Sequence, residues 1–234
     1  MHRGHAPGPC TRSGPVCSHG GVPSWSVVVP AKKLAVAKTR LRPLTAGLPG
    51  TAHDELVLAL LGDTLAAAAA CPAVGAVVVV SDEPAAIEVA RGLGVPTVAD
   101  EPDRGLNPAL DHGARQVGGA AVAALSSDLP ALRPDELARA LEAAGGGAPR
   151  CFVPDAHGTG TTLLTAVGTQ LGPRFGPGSA EAHRRSGARA LTGTWPGLVQ
   201  DVDTDVDLRA AQALGVGPRT AALLERLGML CTRP

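Results

Sequence analysis

One stretch limits the possible folds more than any other: an apolar run without charge that ends in an acid. Residues 121–130 read Ala-Val-Ala-Ala-Leu-Ser-Ser-Asp-Leu-Pro. A continuous apolar run is typical of a strand buried on both faces, as in a parallel sheet. Asp128 would then lie at the carboxyl end of that strand, where open α/β sheets hold their ligands. The alternative is that Asp128 simply begins a turn, as aspartate often does.

A second acidic cluster favours the first interpretation. Residues 201–205 read Asp-Val-Asp-Thr-Asp, and they follow an apolar segment that we expect to form a strand over 197–202. Asp201 and Asp203 are two residues apart, so on a strand both side chains face the same way. Carboxylates at the ends of two strands are what a magnesium site for a phosphate substrate needs.

Strand and helix patterns alternate along most of the chain, which predicts a parallel or mostly parallel sheet. The predicted strands are 25–30, 75–81, 95–99, the run that begins at 121, 151–154 and 163–166. The predicted helices are 51–70, 84–93, one that begins at Asn107, 134–144, 180–185 and one from a capping-box pattern at Thr204 to Leu214. Asn107 is expected to be the N-cap of its helix, with Pro108 in the first helical position.

Composition excludes several classes of protein. The chain has 234 residues, which suits one α/β domain, and its 21 basic and 21 acidic residues cancel. A nucleic-acid surface based on bulk charge is therefore not expected, and 2% aromatic residues give no platform for base stacking. Five irregularly spaced cysteines predict a reducing, cytoplasmic environment, and no apolar run is long enough to span a membrane.

Pattern also divides the chain. Residues 1–24 are rich in Gly, Pro, His and Ser without periodicity and lack the apolar core of a signal peptide. We interpret them as a disordered leader, or as residues that precede the true start of the protein. The folded domain is expected over 25–226, with a tail over 227–234.

A basic loop follows the first strand. It contains Lys32, Lys33, Lys38 and Arg40, at the place where an α/β protein would hold a triphosphate. The loop lacks the glycines and the Gly-Lys-Thr ending of a Walker A motif. Its cations can neutralise a leaving pyrophosphate, and the alternative is a solvated basic turn.

Two glycine-rich segments interrupt the alternating pattern, at 158–162 and at 173–179. Ser179 is expected to be the N-cap of the helix over 180–185, and free N–H groups at such a helix start can hold an anion. Four basic or histidine residues, Arg174, His183, Arg184 and Arg185, lie nearby in sequence, so the segments favour an acid or phosphate pocket over two ordinary connectors. His157 is interpreted as a loop residue and not as a base.

Taken together, these motifs are similar to those of the guanylyltransferases of deazaflavin coenzyme (F-420) biosynthesis. That family activates 2-phospho-L-lactate or phosphoenolpyruvate with GTP. The resemblance extends from Trp25 to about Ala222, and the actinobacterial branch, which is thought to use phosphoenolpyruvate, resembles this chain most. The motifs are Val-Pro-Ala-Lys-Lys-Leu at 29–34, Ala-Lys-Thr-Arg-Leu at 37–41, Asn-Pro-Ala-Leu at 107–110, Ser-Asp-Leu-Pro-Ala-Leu at 127–132, Gly-Thr-Gly-Thr at 158–161, Pro-Arg-Phe-Gly-Pro-Gly-Ser at 173–179, His-Arg-Arg-Ser-Gly at 183–187 and Asp-Val-Asp-Thr at 201–204.

The resemblance implies a role for each of these motifs. It implies a single-domain, Rossmann-like nucleotidyltransferase of the glycosyltransferase-A kind, with a mostly parallel mixed sheet flanked by helices. It further implies that phosphoenolpyruvate is bound by Thr161, Gly176 and Ser179, that Mg²⁺ is held by Asp128, Asp201 and Asp203, and that Lys33, Lys38, Arg40 and Asn107 face GTP, with Asp128, Lys38 and Arg40 closest to the chemistry. The product would pass to a downstream transferase that acts on the deazaflavin precursor.

Three alternatives stay open at this point. The same transfer could use 2-phospho-L-lactate or 3-phosphoglycerate, since a pocket separates such small differences weakly unless it hydrogen-bonds the added group. A cytidylyl- or molybdopterin-type enzyme would need a glycine-rich first loop, which is missing. A non-catalytic nucleotide-binding subunit would have no use for three potential metal ligands.

Overall fold

A computed structural model describes residues 24–101 and 104–230, and its centre is a seven-stranded sheet in the order β3-β2-β1-β4-β6-β5-β7. All the pairs are parallel except the two that β6 makes, with β4 and with β5. The strands are β1 (Trp25–Pro30), β2 (Val74–Val80), β3 (Thr97–Val98), β4 (Ala121–Leu125), β5 (Arg150–Pro154), β6 (Thr161–Val167) and β7 (Arg189–Ala190). The predicted α/β fold with a mostly parallel mixed sheet is thereby confirmed.

Helices cover both faces of the sheet. They are α1 (Arg42–Thr45), α2 (Ala52–Ala69), α3 (Pro84–Gly92), α4 (Leu106–Val117), α5 (Pro134–Gly145), α6 (Ser179–Arg185), α7 (Pro196–Val199), α8 (Asp205–Leu214) and α9 (Pro218–Arg226), with short 3-10 turns at Leu34–Val36 and Thr39–Leu41. Helices α4 and α6 pack on one face, whereas α2, α3, α5 and α7 pack on the other, and α9 lies on α2. Asp63 in α2 accepts from the first backbone N–H groups of α9, which fixes that contact.

The central strands explain why apolar runs mark this fold. In β1, Val27 and Val29 join the core under α2, while Val28 joins the core under α4. All three are fully buried. A strand covered on both faces cannot alternate apolar and polar residues, so it reads as a continuous apolar run.

Strand β6 brings a further motif to the ligand edge of the sheet. It runs antiparallel to β4, with Leu163 opposite Leu125. Its first residue, Thr161, therefore lies at the edge where β1 and β4 end. The glycine-rich segment before Thr161 shares that edge with Asp128.

The predicted strand over 197–202 is wrong. The chain forms the short helix α7 there, and Gln200–Thr204 has no regular structure. Pro196 suits the first turn of a helix because it needs no N–H partner there, and the Glu136 carboxylate accepts from the Leu198 N–H.

Two predicted N-caps are also wrong. Gly105, with φ of 102°, precedes the helix that begins at Leu106, so Asn107 and Pro108 lie inside its first turn. Gly178, with φ of 70°, is the cap of α6, and Ser179 is its first residue. Both caps adopt backbone angles that favour glycine. The capping box at Thr204 and Asp207 is confirmed.

Several predictions concern residues outside the described ranges. The predicted leader lies outside them except for Ser24, and so do residues 231–234 of the predicted tail.

Cys71 and Cys151 are buried free thiols. Within residues 24–101 and 104–230, no helix is long and apolar enough to cross a membrane.

Candidate active site

The basic loop after β1 is anchored to the end of β2. The Ala31 N–H donates to the Val80 carbonyl at 3.0 Å, and the Ser81 hydroxyl donates to the Ala31 carbonyl at 2.8 Å. The Leu34 N–H donates to the Glu83 carboxylate at 3.0 Å. These bonds hold the loop over the carboxyl edge of the sheet, so that Lys32, Lys38 and Arg40 line the cleft there.

Lys38 is the most constrained residue of this loop. Among the described residues it is the only non-glycine residue with a positive φ, at 47°. Its ammonium group contacts the Asp128 carboxylate and lies 2.5 Å from the Asp203 carboxylate. Burial alone lowers the pKa of Lys38, but the carboxylates of Asp128 and Asp203 outweigh it and raise that pKa well above its usual value. The lysine is thus a fixed positive charge, and left-handed backbone at such a position is typical of functional sites.

The backbone next to Asp128 is held by Thr64, a residue that the sequence patterns did not single out. Thr64 is fully buried in α2; its hydroxyl donates to the Leu60 carbonyl at 2.8 Å and accepts from the Leu129 N–H at 2.9 Å. The Val202 N–H donates to the Asp128 carbonyl at 3.1 Å, which joins the two acidic segments. The signal for Thr64 was the polar pair Asp63-Thr64 within the apolar stretch that makes up most of α2.

Asp201 lies close to three charged side chains, those of Asp128, Lys38 and Asp203. Burial raises its pKa to about 7, with a further contribution from the nearby Asp128 carboxylate, whereas Lys38 opposes the shift. Three carboxylates in one cleft repel each other, so the site favours an additional cation.

The residues suit a magnesium ion that is bound mainly through substrate. In the described part of the chain no group of three or more acidic, histidine or cysteine side chains forms a complete ligand cluster. Mg²⁺ keeps several waters and is typically bound through one or two carboxylates together with substrate phosphates. Asp128, Asp201 and Asp203 line one cleft and supply the oxygen ligands that this mode requires.

A second wall of the cleft is built from Thr161, Gly176 and Ser179. The Thr161 hydroxyl lies 2.9 Å from His183 Nδ1, and the Ser179 N–H donates to the Gly176 carbonyl at 3.1 Å. Asp155 accepts from the N–H groups of Thr159 and Gly160 at 2.9 and 2.8 Å, which shapes the loop before Thr161. This wall offers hydroxyl and backbone groups, whereas the other wall carries charges.

Two of the implied nucleotide contacts lie outside the cleft lining. Lys33 is exposed just before the first 3-10 turn. The Asn107 amide donates to the Phe175 carbonyl at 3.0 Å and accepts from the Phe175 N–H at 2.7 Å, so both ends of the amide hold the loop that carries Gly176.

His157 lies in a turn, and its Nε2 is 3.2 Å from Asp207; that hydrogen bond raises the pKa of His157.

The remaining implied residues share one cleft of about 610 Å³, a size typical of ligand sites. Apolar side chains of α2 and α4 complete its floor. The implied residues that line it are Lys38, Arg40, Asp128, Thr161, Gly176, Ser179, Asp201 and Asp203.

This fold and cleft define a class: a nucleotidyltransferase-like α/β protein with acids and cations at the carboxyl edge of its sheet. A nucleotidyl transferase from Methanothermobacter thermautotroptrophicus has a similar fold, with a TM-score of 0.58 and 20% identity, covering 83% of this chain and 98% of that one. 4-Diphosphocytidyl-2C-methyl-D-erythritol synthase has a TM-score of 0.54 and 15% identity, covering 82% of this chain and 99% of that one.

Sequence comparison gives the family. Residues 25–230 match the model of the family described as "Guanylyl transferase CofC like", so this chain belongs to that family. A phosphoenolpyruvate guanylyltransferase of Geodermatophilus obscurus is 69% identical over 205 residues, which cover 87% of this chain and 95% of that protein. One of Streptomyces coelicolor is 54% identical over 213 residues, covering 87% and 97%. The resemblance seen in the motifs is confirmed.

Proposed function

We propose that this chain is a phosphoenolpyruvate guanylyltransferase, which joins the GMP part of GTP to phosphoenolpyruvate and releases pyrophosphate. The observation that carries the proposal is the cleft itself, in a chain 69% identical to a protein of that name. One wall brings Lys38 and three carboxylates together, and the other presents Thr161, Gly176 and Ser179. The first wall suits a metal-bound triphosphate, and the second suits a small phosphorylated acid.

The acceptor supplies its own nucleophile. A phosphate monoester is largely dianionic near neutral pH because its second pKa is about 6. One of its oxygens can attack the α-phosphorus of GTP, forming the new P–O bond while the bond to the leaving pyrophosphate breaks. No general base is required, so neither His157 nor a cysteine needs to take part. The product is enolpyruvyl-diphospho-guanosine.

The protein contributes position and charge. Thr161 and Ser179 can donate hydrogen bonds to the acceptor, and the backbone at Gly176 lets it approach closely. Lys38 and Arg40 neutralise charge on the triphosphate, which stabilises pyrophosphate as it leaves. Lys38 must loosen its contact with the carboxylates to do this.

Asp128, Asp201 and Asp203 are the residues that would hold Mg²⁺. A bound Mg²⁺ would act as a Lewis acid that withdraws charge from the phosphate oxygens. The carboxylates of Asp128 and Asp203 keep Lys38 protonated beside the triphosphate. The charged side chains that bind the substrates are therefore already in the cleft before GTP binds.

Base choice and cellular context rest on the family. GTP is proposed as the donor because the relatives are guanylyltransferases. We place the reaction in the cytoplasm, within deazaflavin coenzyme biosynthesis, with the labile product passed to a transferase that acts on the deazaflavin precursor. Lys33 remains a proposed nucleotide contact, whereas Asn107 is proposed to act on the acceptor wall through its two hydrogen bonds to Phe175.

Pyrophosphate release tests the proposal. Purified protein is given Mg²⁺ and GTP with phosphoenolpyruvate, 2-phospho-L-lactate or 3-phosphoglycerate, with ATP and CTP as nucleotide controls. The downstream transferase is included because the product is labile. We expect release with GTP and phosphoenolpyruvate; release with another acid alone would overturn the acceptor, and silence with every pair would favour a nucleotide-binding subunit.

A further inference from the structure

A buried imidazole connects two parts of the proposed acceptor wall. His183 in α6 is fully buried. Its Nδ1 lies 2.9 Å from the Thr161 hydroxyl oxygen, and its Nε2 lies 2.9 Å from the backbone nitrogen of Arg174. One ring therefore contacts the start of β6 and the loop that leads to Gly176.

These two contacts determine where the proton of the ring sits. The Arg174 N–H can only donate, so Nε2 must accept with its lone pair. A neutral imidazole then carries its proton on Nδ1 and donates to the Thr161 oxygen. The hydroxyl hydrogen of Thr161 is left for an acceptor on the cleft side, since Thr161 lines the cleft.

The surroundings keep the ring neutral and oriented. Phe152 and Phe175 pack against it, with ring centroids 5.8 and 5.2 Å away. Burial lowers the pKa of His183 to about 4, and the positive charges of Arg150 and Arg174 contribute. The donor and acceptor roles of its two nitrogens are therefore fixed throughout the neutral pH range.

We infer that His183 is a positioning residue that makes Thr161 a hydrogen-bond donor to an anionic oxygen of the phosphorylated acceptor, and that also holds the Arg174–Gly176 segment against that acceptor. The inference rests on the proposed function, because the anion it serves is the proposed acceptor. It assigns no contact with GTP to His183. Asn107 anchors Phe175 independently, so the loop keeps one attachment when His183 is replaced.

Two substitutions, each able to replace one nitrogen of the ring, separate its two contacts. In His183→Asn the amide nitrogen can take the place of Nδ1 and still donate to Thr161, while the contact with Arg174 is lost. In His183→Gln the amide oxygen can take the place of Nε2 and accept from Arg174, while the donor to Thr161 is lost. We expect His183→Gln to raise the KM for phosphoenolpyruvate about tenfold, the size of one well-placed hydrogen bond to a charged group.

The expected kinetic pattern is specific to the acceptor. In His183→Gln the KM for GTP should stay within about twofold of wild type, and His183→Asn should lose less acceptor affinity than His183→Gln. His112→Gln, which makes the same chemical change on α4 outside the cleft, should match wild type. Equal losses for both substrates, or a larger loss in His183→Asn, would overturn the inference.

A double-mutant cycle with Thr161→Val tests whether His183 acts through Thr161. If it does, His183→Gln should add little to the effect of Thr161→Val, because the hydroxyl it orients is already gone. Fully additive effects would contradict the inference.

A structural readout is independent of activity. Long-range nitrogen–proton NMR on wild-type protein at neutral pH, with His183 assigned through the backbone of α6, should show a neutral ring protonated at Nδ1. A ring protonated at Nε2, or at both nitrogens, would overturn the inference even if no variant folds. If wild-type protein transfers GMP to no acceptor, the proposed function fails; if it is active but His183→Gln behaves as wild type, only the inference fails.

Discussion

Acidification should destabilise this fold through His183. The pKa of the buried imidazole is lowered from 6.5 to about 4, chiefly by burial. Between these values the unfolded chain binds a proton that the folded chain does not, so the stabilisation is present above pH 6.5 and is lost as the pH falls through 4. Integrating the linkage relation gives a loss of about 2 kcal/mol between about pH 7.5 and about pH 5.

Urea unfolding at fixed ionic strength measures this loss. Trp25 and Trp195, both buried, provide the fluorescence signal. Wild type and His183→Gln share the other titrating groups, so we expect the variant to lose about 2 kcal/mol less over the same pH range. His157→Gln is the matched control: its pKa is raised by the hydrogen bond to Asp207, so that contribution is lost as the pH rises, and removing it cannot flatten the acid side. Identical acid dependence in wild type and His183→Gln would refute the neutral, buried state of the ring.

Three further substitutions test the site and the fold. Asp128→Asn should lower the rate of GMP transfer by at least about 100-fold and leave urea unfolding cooperative, whereas Asp135→Asn on an exposed face of α5 should leave the rate unchanged. Gly113→Ala should reduce the free energy of unfolding by about 1–3 kcal/mol, since an added methyl group would press against valines of β1 and β2. Asn107→Ala should raise the KM for the acceptor about fivefold by freeing Phe175, with little change for GTP.

Each of these three predictions would be contradicted by a specific result. Unchanged transfer by Asp128→Asn would remove the metal assignment, and unchanged stability of Gly113→Ala would show that α4 can shift on the sheet. A rise in the KM for GTP alone in Asn107→Ala would favour direct contact between the amide and the nucleotide.

The sequence predicted most of the fold because its signals are local. The strand Trp25–Pro30 has the predicted bounds, and the run before Asp128 forms the buried strand β4. Apolar runs, N-terminal prolines and the Thr204 capping box need only neighbouring residues to be read. The segment at 197–202 was misread because an apolar pair such as Leu198-Val199 fits one helical turn as well as a strand.

Other features depend on contacts between residues far apart in the chain. The antiparallel insertion of β6 between β4 and β5 is decided by strand pairing, which no local pattern specifies. Thr64 reaches Leu129 across 65 positions, and His183 reaches Thr161 across 22. The acids and Lys38 were predicted as separate motifs, and only the folded chain shows that the ammonium group lies between Asp128 and Asp203.

The most direct test of the central claim follows the α-phosphorus of GTP. Protein, Mg²⁺ and phosphoenolpyruvate are incubated with GTP labelled at the α-phosphorus or at the γ-phosphorus, and the products are separated by chromatography. If the acceptor oxygen attacks the α-phosphorus directly, the α label appears in the guanosine conjugate, the γ label appears in pyrophosphate, and no label stays on the protein. Label bound covalently to the protein, or γ label in the conjugate, would contradict direct transfer in this cleft.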